Sequence, residues 1–150
     1  MFVGHFAVGF AAKRVAPALS LGTLFLAAQL LDLLWPLFLL LGWEHVRIDP
    51  GNTVVTPLDF NDYPWSHSLA MSFVWSIVVA TLGYFLRGRR RRESLCLGIV
   101  VLSHWALDFL THRPDLPLSP GADTPKVGLG LWHSLPATLV VELSWFAFAL

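Results

Sequence analysis

The segment LSHWALDFLTH, residues 102 to 112, carries His104, Asp108 and His112 at steps of four inside an otherwise apolar run. On a helix each step of four turns through about 400°, so the three side chains fall within roughly 80° of one face. A histidine and an aspartate at this spacing let one helix offer two ligand atoms to one divalent cation. Three more ionisable residues open or interrupt apolar runs: Asp32 in AQLLDLLWP, His67 in YPWSHSL and His133 in LWHSL. His5 sits in the first apolar segment, MFVGHFAVGFAAKR.

Each ionised group in lipid costs about 3 kcal/mol even on lenient insertion scales, so a set of them needs mutual compensation. A divalent metal supplies it, neutralising carboxylates and joining helices through imidazole nitrogens. The expected ligands are therefore His5, Asp32, His67, His104, Asp108, His112 and His133. Cys96 is the single cysteine, which excludes an internal disulfide framework and a cysteine-based zinc cage. Imidazoles with carboxylates suit zinc first, then manganese or iron, in a hydrolytic site. Asp62 in DFNDYPWSHS and Asp115 in THRPDLPLSP are the candidate general bases, with Arg113 and Lys126 as candidate clamps for an anionic substrate. Glu142 is expected as a structural partner, out of phase with His133.

The elements that must position these residues are membrane helices. Of the 150 residues, 55% are hydrophobic and 13% charged, against roughly 25% charged in a soluble domain. Ten basic and ten acidic residues cancel, so net charge gives no support to nucleic-acid binding. The apolar runs Ala18 to Trp43, Ser66 to Leu86 and Ser94 to Thr111 are long enough to cross a bilayer, which takes about 20 residues. Leu131 to Leu150 is a fourth, interrupted by Pro136 and Glu142. Phe2 to Ala12 is too short to span and reads as a half-inserted or re-entrant helix. It reads as a retained helix more than as a signal peptide, because Lys13 and Arg14 follow the apolar part and His5 interrupts it. The expected fold is all-α: a single domain over 1–150, about four spanning helices and a short N-terminal hydrophobic helix. The sequence ends inside the apolar run WFAFAL, which reads as truncation within the last helix.

Segments 44–65 and 113–130 are rich in Pro, Asp, Asn and Gly and read as loops. Five arginines in RGRRRR, Arg87 to Arg92, form a short hinge between two runs, and positive short loops stay cytoplasmic. The ionisable cluster then falls on the outer side of the membrane.

GH at 4–5, LLDLLWP, WSHS at 65–68 and LSHWALDFLTH, taken in order, resemble the bacterial inner-membrane metal-dependent hydrolases of the YdjM type, over nearly the whole chain. Many members of that family carry Asp-x-Asp and a following histidine where this chain has only Asp32. The same order of residues is more distantly similar to all-helical zinc-dependent phospholipases C and related single-strand nucleases. That resemblance implies a first metal on Asp32, His67, His104 and Asp108. It implies a second on His5 sharing Asp108, and part of a third on His112 and His133. The glutamate that should follow the last histidine by four is Ala137 here.

The expected activity is hydrolysis of a phosphoester or another ester on a lipid or amphiphilic substrate. A metal or proton transporter, a haem-binding carrier and a purely structural membrane protein are the competing classes. A transporter calls for ionisable residues at several depths, and the inner half of these helices lacks them.

Overall fold

Three serines start three of the helices. The side chains of Ser20, Ser68 and Ser134 accept from the backbone N–H of Thr23, Met71 and Ala137 respectively, satisfying N–H groups that the first helical turn leaves without partners. The computed structural model describes residues 1–150 and is mostly helical. Helix α1 covers Val3–Val15, α2 Leu21–Ala28, α3 Leu30–Leu40, α4 Pro64–His67, α5 Leu69–Leu86, α6 Arg91–Thr111 and α7 Leu135–Ala149.

Helices α5 and α6 are long and apolar enough to cross a membrane, and α2 with α3 forms a third candidate if the bent pair counts as one span. The expectation of about four spans is corrected on two points. The run from Ala18 to Trp43 breaks at Gln29, where the axis turns by 53°. Helix α7 begins at Leu135 rather than Leu131, and its 15 residues within this sequence form a shorter apolar helix.

Helix α6 is the central element. It packs along α5, and Gly98 makes the close approach possible. A Cβ there would stand 3.1 Å from the Ser76 carbonyl oxygen, and the Ser76 hydroxyl donates to the Gly98 carbonyl at 2.8 Å. On its other side Cys96, Leu97, Val100 and Val101 join Ala12, Leu19, Leu24, Ala28 and Leu31 in the buried core shared with α1, α2 and α3. This apolar layer lies immediately N-terminal to His104, so the site sits on top of it.

The two long loops are not wholly irregular, a second correction to the all-helical expectation. Strand β1 (His45–Ile48) pairs antiparallel with β2 (Leu58–Asp62), and β3 (Leu116–Pro117) pairs with β4 (Lys126–Val127). Strands this short leave little hydropathy pattern to read. The second loop is tied to the end of α6 by backbone bonds from Leu129 to Phe109 and from Gly130 to His112. Gly128, at φ 156°, permits that approach, since a Cβ would lie 2.1 Å from the Arg113 carbonyl oxygen. Together the loops cover the end of α6 opposite the Arg87–Arg92 turn.

Candidate metal centre

Four helices deliver five side chains to one point. Helix α6 presents His104 and Asp108 one turn apart, α1 brings His5, α3 brings Asp32 in its first turn, and α4 ends on His67. His104 Nε2 lies 3.1 Å from Asp108 Oδ2 and 3.5 Å from Asp32 Oδ1. His67 Nε2 lies 3.4 Å from Asp32 Oδ1 and 3.8 Å from Asp108 Oδ2, and His5 Nε2 is 3.2 Å from Asp108 Oδ1. The amino group of Met1 also contacts Asp108. Two overlapping sets, His5/His104/Asp108 and Asp32/His67/His104, have ligand atoms within 4.8 Å of one another and can hold a metal ion. His5, His67, His104 and Asp108 are buried, whereas the Asp32 side chain is 44% exposed and opens the centre to a cavity.

The break in the second apolar run has a chemical consequence. At Gln29 the helix is interrupted, and the Ala28 carbonyl accepts from His104 Nδ1 at 2.7 Å. A carbonyl only accepts, so Nδ1 carries the proton and the neutral ring keeps its lone pair on Nε2. That buried Nε2 has no hydrogen-bond partner, and it faces two carboxylate oxygens. A lone pair aimed at two anions is repulsive until a proton or a metal cation stands between them, and the donor set fits a divalent metal. The His5 and His104 rings stack with centroids 3.7 Å apart, too close to sandwich a porphyrin between them.

No family model, curated protein or solved structure matches the chain.

The remaining candidates are placed elsewhere. His112 lines the cavity, but its Nδ1 is 3.0 Å from Asp115 Oδ1, and it belongs to neither three-residue set. His133 is exposed at the end of the 3-10 turn Leu131–His133 and belongs to neither three-residue set. The turn ends before α7 begins, so its histidine never shares the α7 face that packs on α1. Asp62 is exposed, with Oδ2 2.9 Å from His45 Nδ1 on the β1–β2 hairpin, and it lines a separate surface depression. Asp115 is buried and fully engaged: Tyr63 Oη donates to Oδ1 at 3.1 Å and Arg113 Nε to Oδ2 at 3.1 Å. Arg113 also pairs with Asp59, and Lys126 donates to the Asn61 carbonyl at 2.7 Å. Both cations expected as substrate clamps are thus tied to the protein.

Two residues that the sequence did not single out belong to the surroundings of the site. Glu44, 1% exposed, accepts from the backbone N–H and the hydroxyl of Ser66, each at 2.7 Å. Burial pushes its carboxyl above the ordinary glutamate range, against the pull of the Ser66 hydrogen bonds. Burial, then the Asp115 charge, holds the Tyr63 phenol well above its usual value. A lone glutamate and a lone tyrosine in loop sequence carry no spacing signal that could have marked them.

Glu142 does serve a structural partner's role. Its Oε1 accepts from Phe2 N–H at 3.1 Å, and its Oε2 from Val3 N–H at 2.6 Å and Gly4 N–H at 3.2 Å. A carboxylate on the free N–H groups of α1 anchors the turn that carries His5.

The cavity beside the centre has a volume of about 330 Å³. Asp32, His67, Asp108 and His112 form its polar side, while Trp35, Phe60 and Trp132 are among its apolar walls.

Proposed function

We propose that this protein is a membrane-embedded metal-dependent hydrolase acting on a phosphoester or another ester of a lipid or amphiphilic substrate. The carrying observation is the convergence of Asp32, His67, His104 and Asp108, with His5, from four helices onto one point beside a cavity. The cavity's mixed lining suits a substrate with a polar head toward Asp32 and an apolar portion against Trp35, Phe60 and Trp132. The sequence resemblance to the YdjM-type hydrolases and, more distantly, to all-helical zinc phospholipases C supports the same reading.

His104, Asp108, Asp32 and His67 are the ligands of the metal, with zinc the first choice and His5 completing the set around Asp108. A divalent metal held there supplies Lewis acidity, polarising the ester oxygen and acidifying a water. Asp32, the most open of the five, admits substrate to that point. His112 borders the same cavity, and Asp115 fixes its Nδ1, leaving Nε2 as the ring nitrogen available for proton transfer. Asp62 and Asp115 give up the general-base role expected of them, the first by position and the second by its three hydrogen-bond partners. The protein sits in the bacterial inner membrane with the Arg87–Arg92 turn cytoplasmic and the centre toward the outer face.

The test is elemental analysis of the detergent-purified protein beside a His104→Ala, Asp108→Ala double variant, followed by turnover of phospholipids and simple phosphate esters. Metal in the wild type, its loss in the variant, and hydrolysis that tracks the metal are the expected results. Equal metal content in both proteins ends the proposal.

A further inference from the structure

Ser66 Oγ stands between two partners. It lies 2.7 Å from Glu44 Oε2 on one side and 2.7 Å from His67 Nδ1 on the other. All three residues are buried. Glu44 has no cationic partner among the ion pairs of the protein, and its other oxygen accepts from the Ser66 backbone N–H. A buried carboxylate with no cation paired to it is expensive, and a purely apolar contact would join the loop to α4 at lower cost.

The proton count gives the direction of each bond. A serine hydroxyl has one hydrogen, and a carboxylate can only accept. With that hydrogen given to Glu44, the contact to the imidazole exists only if His67 Nδ1–H donates to Ser66 Oγ. The neutral ring then carries its lone pair on Nε2, toward Asp32 and Asp108. With Glu44 ionised, the opposite arrangement would leave Glu44 Oε2 and Ser66 Oγ facing each other at 2.7 Å with no hydrogen between them. His104 reaches the same state by a different route, through the Ala28 carbonyl. Both imidazoles therefore have Nδ1 held by an acceptor and Nε2 turned inward.

We infer that Glu44 and Ser66 are positioning residues that fix the tautomer and orientation of His67 and thereby set the affinity of the centre for a divalent metal. This rests on the metal-centre reading above. Outer partners of a metal-binding histidine typically contribute roughly 10- to 100-fold to metal affinity.

Glu44→Gln discriminates this role from simple loop anchoring. The amide keeps the shape, accepts from the Ser66 N–H through its oxygen, and donates to Ser66 Oγ through its nitrogen. The hydroxyl is then free to donate to His67 Nδ1, which moves the ring proton to Nε2. The hydrogen-bond count is unchanged and the direction is reversed. Full-length protein in detergent is titrated with zinc against a chromophoric chelator, and metal-free melting is recorded in parallel.

The expected result is zinc affinity lowered roughly 10- to 100-fold in Glu44→Gln and Ser66→Ala, with Ser66→Thr close to wild type because it keeps the hydroxyl. Metal-free melting of Glu44→Gln should match the wild type. Wild-type zinc affinity in both Glu44→Gln and Ser66→Ala overturns the inference while leaving the metal centre standing. A wild-type protein that takes up no zinc overturns the metal-centre reading itself.

Discussion

At the scale of single residues, function divides between histidines that share a point and histidines that do not. His104 and Asp108 touch every other member of the cluster through its carboxylates or rings, so His104→Ala or Asp108→Ala should abolish stoichiometric metal. His133→Ala and Asp62→Ala should leave metal content at the wild-type level, and elemental analysis of the four variants reads both outcomes. The His104/Asp108 pair was legible from sequence because a step of four on a helix is fixed by backbone geometry. His133 was misplaced because an apolar run was read as a helix through its first residues, whereas a 3-10 turn and the Ser134 cap delay α7 to Leu135. Glu44 was illegible, since its meaning depends on Ser66, 22 residues away, and on no local pattern. Tyr63 carries a pH prediction. Its phenol is raised by burial, so the folded state holds the proton more tightly than the unfolded chain. The associated stability is full below about pH 10 and is lost as pH rises toward the folded value. A phenolate absorbance titration of wild type minus Tyr63→Phe should therefore show ionisation only well above pH 10.

At the scale of elements, the site depends on irregularities in otherwise ordinary helices. The bend at Gln29 supplies the Ala28 carbonyl that orients His104, and the short helix α4 ends on His67 where the Ser68 cap begins α5. Hydropathy located the apolar runs containing these residues but not their breaks, because a run of leucines reads the same whether straight or bent. The hairpins over the site escaped for a related reason: β1 and β2 are held by each other and by Arg113–Asp59, not by an alternating pattern. The clearest test at this scale is the anchoring of α1 by Glu142, which receives three backbone N–H groups from another helix. Glu142→Ala should destabilise the protein by roughly 2 kcal/mol, the range for hydrogen bonds to a charged group, with Glu142→Gln intermediate. Because α1 carries His5, metal affinity should fall with stability in this series, and denaturation in detergent with parallel zinc titration would detect the coupling. A Glu142→Ala protein as stable as wild type would show that α1 is held by its apolar contacts alone.

At the scale of the molecule, the centre and the arginine turn occupy opposite ends of one helix. Helix α6 has 21 residues, and at 1.5 Å per residue it extends about 30 Å, the thickness of a bilayer's hydrocarbon core. From Arg91 to Asp108 the rise is roughly 26 Å, so if α6 spans, the two features face different compartments. The outer surface of α5 suits lipid: Phe73, Val74, Ile77, Leu82, Phe85 and Leu86 are all exposed, a stripe that water would not tolerate for long. In the proposed topology the five arginines of the Arg87–Arg92 turn set the direction, because short basic loops are retained in the cytoplasm. In a Cys96→Ala background, a membrane-impermeant maleimide applied to spheroplasts should label an Ala122→Cys variant in the loop over the centre. It should label a Gly88→Cys variant only after the membrane is opened. The reverse pattern would put the cavity on the cytoplasmic side and the amphiphilic substrate in the inner leaflet. Labelling of both variants in unopened spheroplasts would mean that α6 does not cross the membrane at all, and the cavity would then have to draw its substrate from water.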